Sequence, residues 1–264
     1  MSKRIGIALV AFIIWLVITI GLGRILNGES SLLDGVTSGI GWAWVAAAAF
    51  ILAVVLWQRW SDVGINRGTD ARGWRLTWLP MLYIIGGVCF ASLLGLPPAT
   101  VLILILINTL FVGFSEELML RGAIFQAFRH SVSIWVAVLL TSLVFGAMHS
   151  LNVFVTGDLR AALIQSTAAF LSGIVFIALR LRTGSLWPPI IVHALWDFAT
   201  FTLSAATKGA QHGAAHGTLP AEAVTLPAAT GLAEFIPILL VLPNAFYGLW
   251  LMRNIGTTHT NPAT

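Results

Sequence analysis

Long runs of apolar residues, separated by short polar segments, dominate the pattern of this chain of 264 residues. A helix needs roughly 20 apolar residues to cross a bilayer, and apolar stretches suited to that role recur eight times. The pattern therefore predicts an all-α polytopic membrane protein, a bundle of about eight transmembrane helices. The predicted spans cover residues 5–22, 40–57, 79–96, 101–127, 132–149, 161–180, 186–204 and 235–252.

Polar and proline-rich segments divide these spans. Pro97 and Pro98 mark a break in the uncharged stretch from Leu76 to Ser115, because proline does not continue a helix. Residues 205–234 are rich in Ala, Gly, Thr and Pro and show no periodicity, which predicts a flexible external loop. The spans leave no room for a soluble domain, so residues 1–264 are interpreted as a single integral membrane domain.

Composition supports a membrane protein. Hydrophobic residues make up 58% of the chain and charged residues 9%, whereas soluble domains carry about 25% charged residues. The net charge of +4 is not interpreted as a nucleic-acid surface, because the arginines lie between apolar segments. The lone Cys89 excludes an internal disulfide and a cysteine metal cluster.

The distribution of basic residues predicts the orientation in the membrane. With an even number of spans both termini lie on one side, and eleven of the 14 basic residues then share that side. Because Lys and Arg accumulate in cytoplasmic loops, we expect cytoplasmic N and C termini, in the cell inner membrane. The eleven are Lys3, Arg4, Arg59, Arg67, Arg72, Arg75, Arg121, Arg129, Arg180, Arg182 and Arg253.

Three acidic side chains and two histidines fall inside the predicted spans, where an ionisable group costs several kcal/mol and indicates function. They are Glu116, Glu117, His149, His193 and Asp197.

The first group of these lies in the run Ser115 to Arg121. On an α-helix Glu117 and Arg121 are four residues apart and can pair, while Glu116 points about 100° away. Glu116 is then free to act as a general base on water. A structural ion pair at a helix end is the alternative.

Two histidines extend this chemistry. His149 ends the fifth span, four residues after Phe145, and His193 lies four residues before Asp197 on the seventh span. A carboxylate and a histidine can deprotonate water, and a second histidine can donate to an oxyanion. The set could also supply zinc ligands, although H-E-x-x-H is absent. For either histidine alone, hydrogen-bonded packing is the alternative.

Three motifs made of these residues resemble the CPBP family of intramembrane proteases, which includes the CAAX prenyl endopeptidases and Abi-like proteins. The family pattern is E-E-x-x-x-R, F-x-x-x-H and H-x-x-x-N or H-x-x-x-D, in that order. The resemblance covers about residues 100–200, including the run from Gly184 to Pro188. The matching residues are Glu116, Glu117, Arg121, Phe145, His149, His193 and Asp197.

The resemblance implies a role for each residue. Glu116 would activate water with help from His149, and His193 and Asp197 would occupy the oxyanion-stabilising positions. The supporting residues would be Glu117, Arg121 and Phe145. The prenyl endopeptidases carry asparagine where this chain has Asp197, and an ionised aspartate cannot donate a hydrogen bond. Asp197 would then orient His193, stay protonated, or help to bind a metal.

The implied function is an endopeptidase that cuts membrane-anchored or prenylated substrates beside the lipid bilayer. A divalent metal such as zinc, held by Glu116, His149 and His193, fits the resemblance, and so does a mechanism with no metal. Substrate identity does not carry over from the family. A proton-coupled transporter with a Glu–His relay and a non-catalytic scaffold or immunity protein are the alternatives.

One geometric requirement follows from this hypothesis. At a rise of about 1.5 Å per residue, His149 lies ~25 Å along the fifth span and His193 only ~10 Å past Leu186. Both must meet Glu116 for the mechanism to work. We expect a tilt of the fifth span, a later start of it, or an interfacial segment around Arg129 to Ser133 to bring them together.

Overall fold

The computed structural model describes residues 3–27, 31–215 and 231–255. These residues are mostly helical and contain no strand, which confirms the predicted all-α membrane fold. The α-helices are α1 (Lys3–Leu16), α2 (Gly23–Asn27), α3 (Leu32–Thr37), α4 (Trp42–Trp57), α5 (Ala71–Arg75), α6 (Trp78–Leu94), α7 (Ala99–Glu117), α8 (Phe125–Arg129), α9 (Ile134–Ser150), α10 (Val153–Thr156), α11 (Leu159–Thr183), α12 (Trp187–Ala215) and α13 (Ile236–Met252). Two π-helical turns, Val17–Leu22 and Leu118–Ile124, and two 3-10 turns, Ser61–Val63 and Gly231–Phe235, complete the described elements.

Each predicted span corresponds to an apolar helix. Five helical segments are long and apolar enough to cross a membrane, namely Lys3–Leu26, Ala99–Arg129, Ile134–Thr156, Leu159–Thr183 and Trp187–His212. The other three, α4, α6 and α13, have 16 or 17 residues, somewhat fewer than the roughly 20 that a full crossing needs. The break at Pro97–Pro98 is present between α6 and α7.

The described part of the external loop predicted for residues 205–234 is helical. Helix α12 continues to Ala215, so residues 205–215 are helical rather than part of a loop. Alanine favours helix, and Ala206 and Ala210 are buried against neighbouring helices, which accounts for the extension. Residues 216–230 of the predicted loop lie outside the described residues.

Two groups of helices form the body of the bundle. Helix α11 packs between α9 and α13, α12 packs between α6 and α7, and α11 touches α12. At the contact of α7 with α12, a Cβ atom on Gly113 would lie 2.9 Å from the backbone nitrogen of Ala194. Only glycine permits this approach, which places the acidic end of α7 against the start of α12.

Helix α1 lies outside this body, against α4 and the π-helical turn Leu118–Ile124. Its first turn is tied to the loop after α4, where Arg4 donates to the two carboxylate oxygens of Asp62 at 2.7 and 2.8 Å. The backbone carbonyl of Asp62 in turn accepts from Gln126 at 2.9 Å and from Arg180 at 2.7 Å. This loop therefore connects α1, α8 and α11 at one end of the bundle.

Candidate active site

A buried Glu117 side chain is the centre of the polar cluster. Its Oε1 accepts hydrogen bonds from Arg121 NH1 at 2.8 Å and from His193 Nδ1 at 2.9 Å. The Glu117 and Arg121 side chains are completely buried. The pair predicted from their spacing is present, and it also holds a histidine from a second helix. Arg121, which we counted among the arginines of the cytoplasmic side, belongs to this buried cluster instead.

Glu116 has a more open position than Glu117. Its side chain is 12% exposed, and its Oε2 lies 3.8 Å from His193 Nε2, too far for a hydrogen bond. Oε2 is itself buried and has no hydrogen-bond partner among the described residues. Glu116 therefore has acceptor capacity left for a water molecule.

Asp197 lies near Nε2 of the His193 imidazole, on the side opposite to Glu117. Its Oδ2 is 3.5 Å from His193 Nε2, and its side chain is 25% exposed. His193 thus has Nδ1 on Glu117 and Nε2 facing Glu116 and Asp197. Because a carboxylate accepts at Nδ1, that nitrogen carries a proton and fixes the orientation of the ring.

Aromatic rings enclose the histidine and the arginine. The Arg121 guanidinium lies 4.0 Å from the centre of the Phe145 ring and 5.1 Å from that of Phe176, within the range of a cation–π interaction. Phe176 stacks on His193 at 5.0 Å between ring centres. Sequence analysis did not identify Phe176, because a phenylalanine in an apolar span carries no signal of its own.

His149 reaches the cluster through Phe145. Its Nδ1 donates to the Phe145 carbonyl at 2.8 Å, which leaves Nε2 as an acceptor. The rings of His149 and His193 lie 4.8 and 5.7 Å from the ring of Phe145. Both histidines therefore lie near one aromatic ring, and the fifth span begins at Ile134, two residues later than predicted. The assistance of His149 to Glu116 stays a prediction.

The segment that follows the glutamates is a π-helical turn, Leu118–Ile124, where the sequence analysis assumed a regular α-helix. The N–H of Phe125 bonds to the carbonyl of Leu120, five residues earlier, which is the hydrogen bond of a π-helix. Such turns are frequent at functional sites. The Glu117–Arg121 pair forms despite the wider turn, because the arginine side chain is long.

The predicted metal ligands Glu116, His149 and His193 do not form a ligand cluster here. Within residues 3–27, 31–215 and 231–255, no three or more His, Cys, Asp or Glu side chains are grouped to hold a metal ion. His149 and His193 use Nδ1 for the Phe145 carbonyl and for Glu117, which leaves Nε2 of each ring for another partner. Metal binding by these residues stays a prediction.

Comparison with known proteins locates a family domain in this part of the chain. The family described as "Type II CAAX prenyl endopeptidase Rce1-like" has a model that matches residues 98–199. No curated protein and no solved structure matches the chain. The matched range contains all three motifs and confirms the resemblance to the CPBP family. It indicates a membrane-embedded protease in general. Residues 98–199, which carry the whole buried cluster, are therefore similar to the Rce1-like family of type II CAAX prenyl endopeptidases.

Proposed function

We propose that this chain is an intramembrane endopeptidase that hydrolyses peptide bonds of membrane-associated or lipidated substrates, prenylated ones included. The carrying observation is the position of Glu116. Its carboxylate is partly open and lies beside His193, which the buried Glu117–Arg121 pair holds in place. One carboxylate is thus structural and its neighbour is available for chemistry.

In the proposed reaction Glu116 is the general base. It takes a proton from a water molecule as the water oxygen attacks the carbonyl carbon of the substrate. A new C–O bond forms, and the carbonyl oxygen becomes an oxyanion. His149 accepts a hydrogen bond from the same water through Nε2, the nitrogen left free by its bond to Phe145.

The proposed oxyanion partner is His193. In the doubly protonated form of His193, Nε2–H is the donor and lies between Glu116 and Asp197, while Nδ1–H stays on Glu117. A donor held in place before the reaction stabilises developing charge without reorganisation. Asp197 is positioned to orient His193 or, when protonated, to donate to the same oxygen.

The tetrahedral intermediate collapses when the C–N bond breaks. The proton held by Glu116 passes to the leaving nitrogen, so the products are a carboxylic acid and an amine, and Glu116 regains its starting state. Every proton in this sequence comes from the one water molecule. No step of this sequence uses a metal.

The proposed setting is the cell inner membrane, with both termini in the cytoplasm. Without Arg121, which is buried in the site, the basic side chains still favour that side by ten to three. The site then opens near the cytoplasmic half of the bundle, where a lipid-anchored peptide would meet it. The prenyl group in the family name suggests prenylated peptides as the first class to test.

The test is a mass-spectrometric cleavage assay with purified protein in detergent and in liposomes. Membrane-anchored peptides with and without a prenyl group are compared for wild type, Glu116→Gln and the control Glu234→Gln, whose carboxylate pairs with Arg160 far from the motifs. We expect cleavage by wild type and the control, and none by Glu116→Gln. Equal cleavage by all three would refute the role of Glu116. Proton flux across liposomes without cleavage would support the transporter alternative. A bound partner protein without cleavage would support the scaffold alternative.

A further inference from the structure

A buried hydrogen bond joins the first helix to the residue before Glu116. The indole Nε1–H of Trp15 donates to Ser115 Oγ at 2.8 Å, across 100 positions of sequence. Trp15 is 1% exposed and Ser115 2% exposed. A buried indole N–H usually finds a hydrogen-bond partner. That the partner here is the residue next to Glu116 is the feature of interest.

Ser115 lies near the transition between two helix types. The α-helix α7 ends at Glu117, and the wider π-helical turn covers Leu118–Ile124. Glu116 directly follows Ser115, so the backbone position of Ser115 also sets the direction of the Glu116 side chain. Rotation at this point would swing Glu116 around the helix axis, away from His193.

Helix α1 is itself tied to the rest of the bundle. Arg4 holds its first turn to Asp62 through two hydrogen bonds, and the Trp15 side chain is almost completely buried. The indole therefore has a defined position against which the backbone at Ser115 is held.

We propose that Trp15 and Ser115 form a positioning pair, in which the indole N–H fixes the rotation of the turn that carries Glu116. The proposal rests on the proposed function, in which Glu116 is the general base. It extends the working site beyond the matched residues 98–199, because one member of the pair lies on α1. Trp15 acts through Ser115 on Glu116 and does not touch the substrate.

Two single variants remove the bond from either side, Trp15→Phe and Ser115→Ala. Misplacement of a catalytic group by about 1 Å can cost about a hundredfold in rate. We expect kcat to fall between about tenfold and about a hundredfold, with KM unchanged. The double variant should lose no more than the worse single variant, because both changes remove one interaction.

The matched control is Ser142→Ala. Ser142 is a fully buried serine on α9, and its hydroxyl has no hydrogen-bond partner among the described residues. The control should keep wild-type kcat and KM. Cleavage by wild type and its loss in Glu116→Gln are established first. A failure of the proposed function is then distinguished from a failure of the positioning pair.

Hydrogen exchange supplies a readout that does not need activity. Backbone amides in residues 113–121 should exchange faster in Trp15→Phe and Ser115→Ala than in wild type and Ser142→Ala. If Trp15→Phe does not fold, Ser115→Ala alone decides. Wild-type kcat in Ser115→Ala, or losses that multiply in the double variant, would overturn the pair. A lower melting temperature with unchanged kcat and exchange would show a merely structural bond.

Discussion

His193 and Glu117 are joined by a hydrogen bond of 2.9 Å from Nδ1 to Oε1, between helices that are 76 residues apart in sequence. The same oxygen accepts from Arg121 at 2.8 Å. One buried carboxylate thus neutralises an arginine and orients a histidine, which leaves Glu116 as the available base. Glu116 and Glu117 are adjacent in sequence but have different roles, because the helix bundle gives them different partners.

Replacing the buried carboxylate should therefore unfold the site rather than only slow the reaction. In Glu117→Gln the Arg121 charge stays buried without its counter-ion, and breaking such a pair costs about 3–5 kcal/mol. We expect a clear drop in the melting temperature of the protein in detergent. Unfolding is monitored by fluorescence. Glu116→Gln is the matched control, since it removes an adjacent carboxylate without an arginine partner. Equal melting temperatures for the two variants would contradict the structural role of Glu117.

The aspartate at position 197 can be tested against the asparagine of the prenyl endopeptidases. If position 197 contributes a donor to the oxyanion, Asp197→Asn should keep or raise kcat, because the amide donates without needing protonation. Asp197→Ala should lower kcat by about a hundredfold or more. The measurement is kcat for both variants across the pH range. Equal inactivity of the two would assign the ionised carboxylate to the orientation of His193 instead.

The ion pair between Arg4 and Asp62 predicts a pH dependence of stability. Partial burial acts to raise the pKa of Asp62, but hydrogen bonds from Arg4 and His130 outweigh it and hold the pKa below its ordinary value of 3.8. A carboxyl group whose pKa is lowered in the folded state stabilises it above the unfolded-state pKa, and that contribution is lost as the pH falls through the folded-state pKa. Wild type should exceed Asp62→Asn in melting temperature near neutral pH.

The difference between wild type and Asp62→Asn should then shrink as the pH falls below about 4. Arg4→Gln should behave as Asp62→Asn does, because it removes the other half of the pair. Melting curves between neutral pH and pH 3 provide the comparison. A difference that stays constant with pH would mean that the lost packing of the side chain, rather than its charge, is responsible.

Metal dependence has a direct test. Because Glu116, His149 and His193 are not grouped as ligands, we expect cleavage to survive incubation with a strong chelator and subsequent desalting. Elemental analysis of the active protein should find less than about one zinc ion per chain, the occupancy of a catalytic zinc site. Activity lost on chelation and restored by zinc would show that the side chains rearrange into a metal site.

Short-range features of the site could be predicted from the chain alone. The charge-free runs required helices in a bilayer, because backbone polar groups there must be bonded within the segment. The Glu117–Arg121 pair, only four residues apart, also follows from local geometry, and it survives even in a π-helical turn. Pro97 and Pro98 before α7 predicted a helix break, because proline interrupts a helix whatever its neighbours are.

Contacts between helices were decided only by tertiary structure. The bond from His193 to Glu117, the stacking of Phe176 on His193 and the clamp of Trp15 on Ser115 each join distant segments. Apolar spans look alike in sequence, so they do not say which face meets which neighbour. That choice depends on close approaches such as the one at Gly113. The chain by itself determined which residues could do chemistry, and packing decided which of them meet.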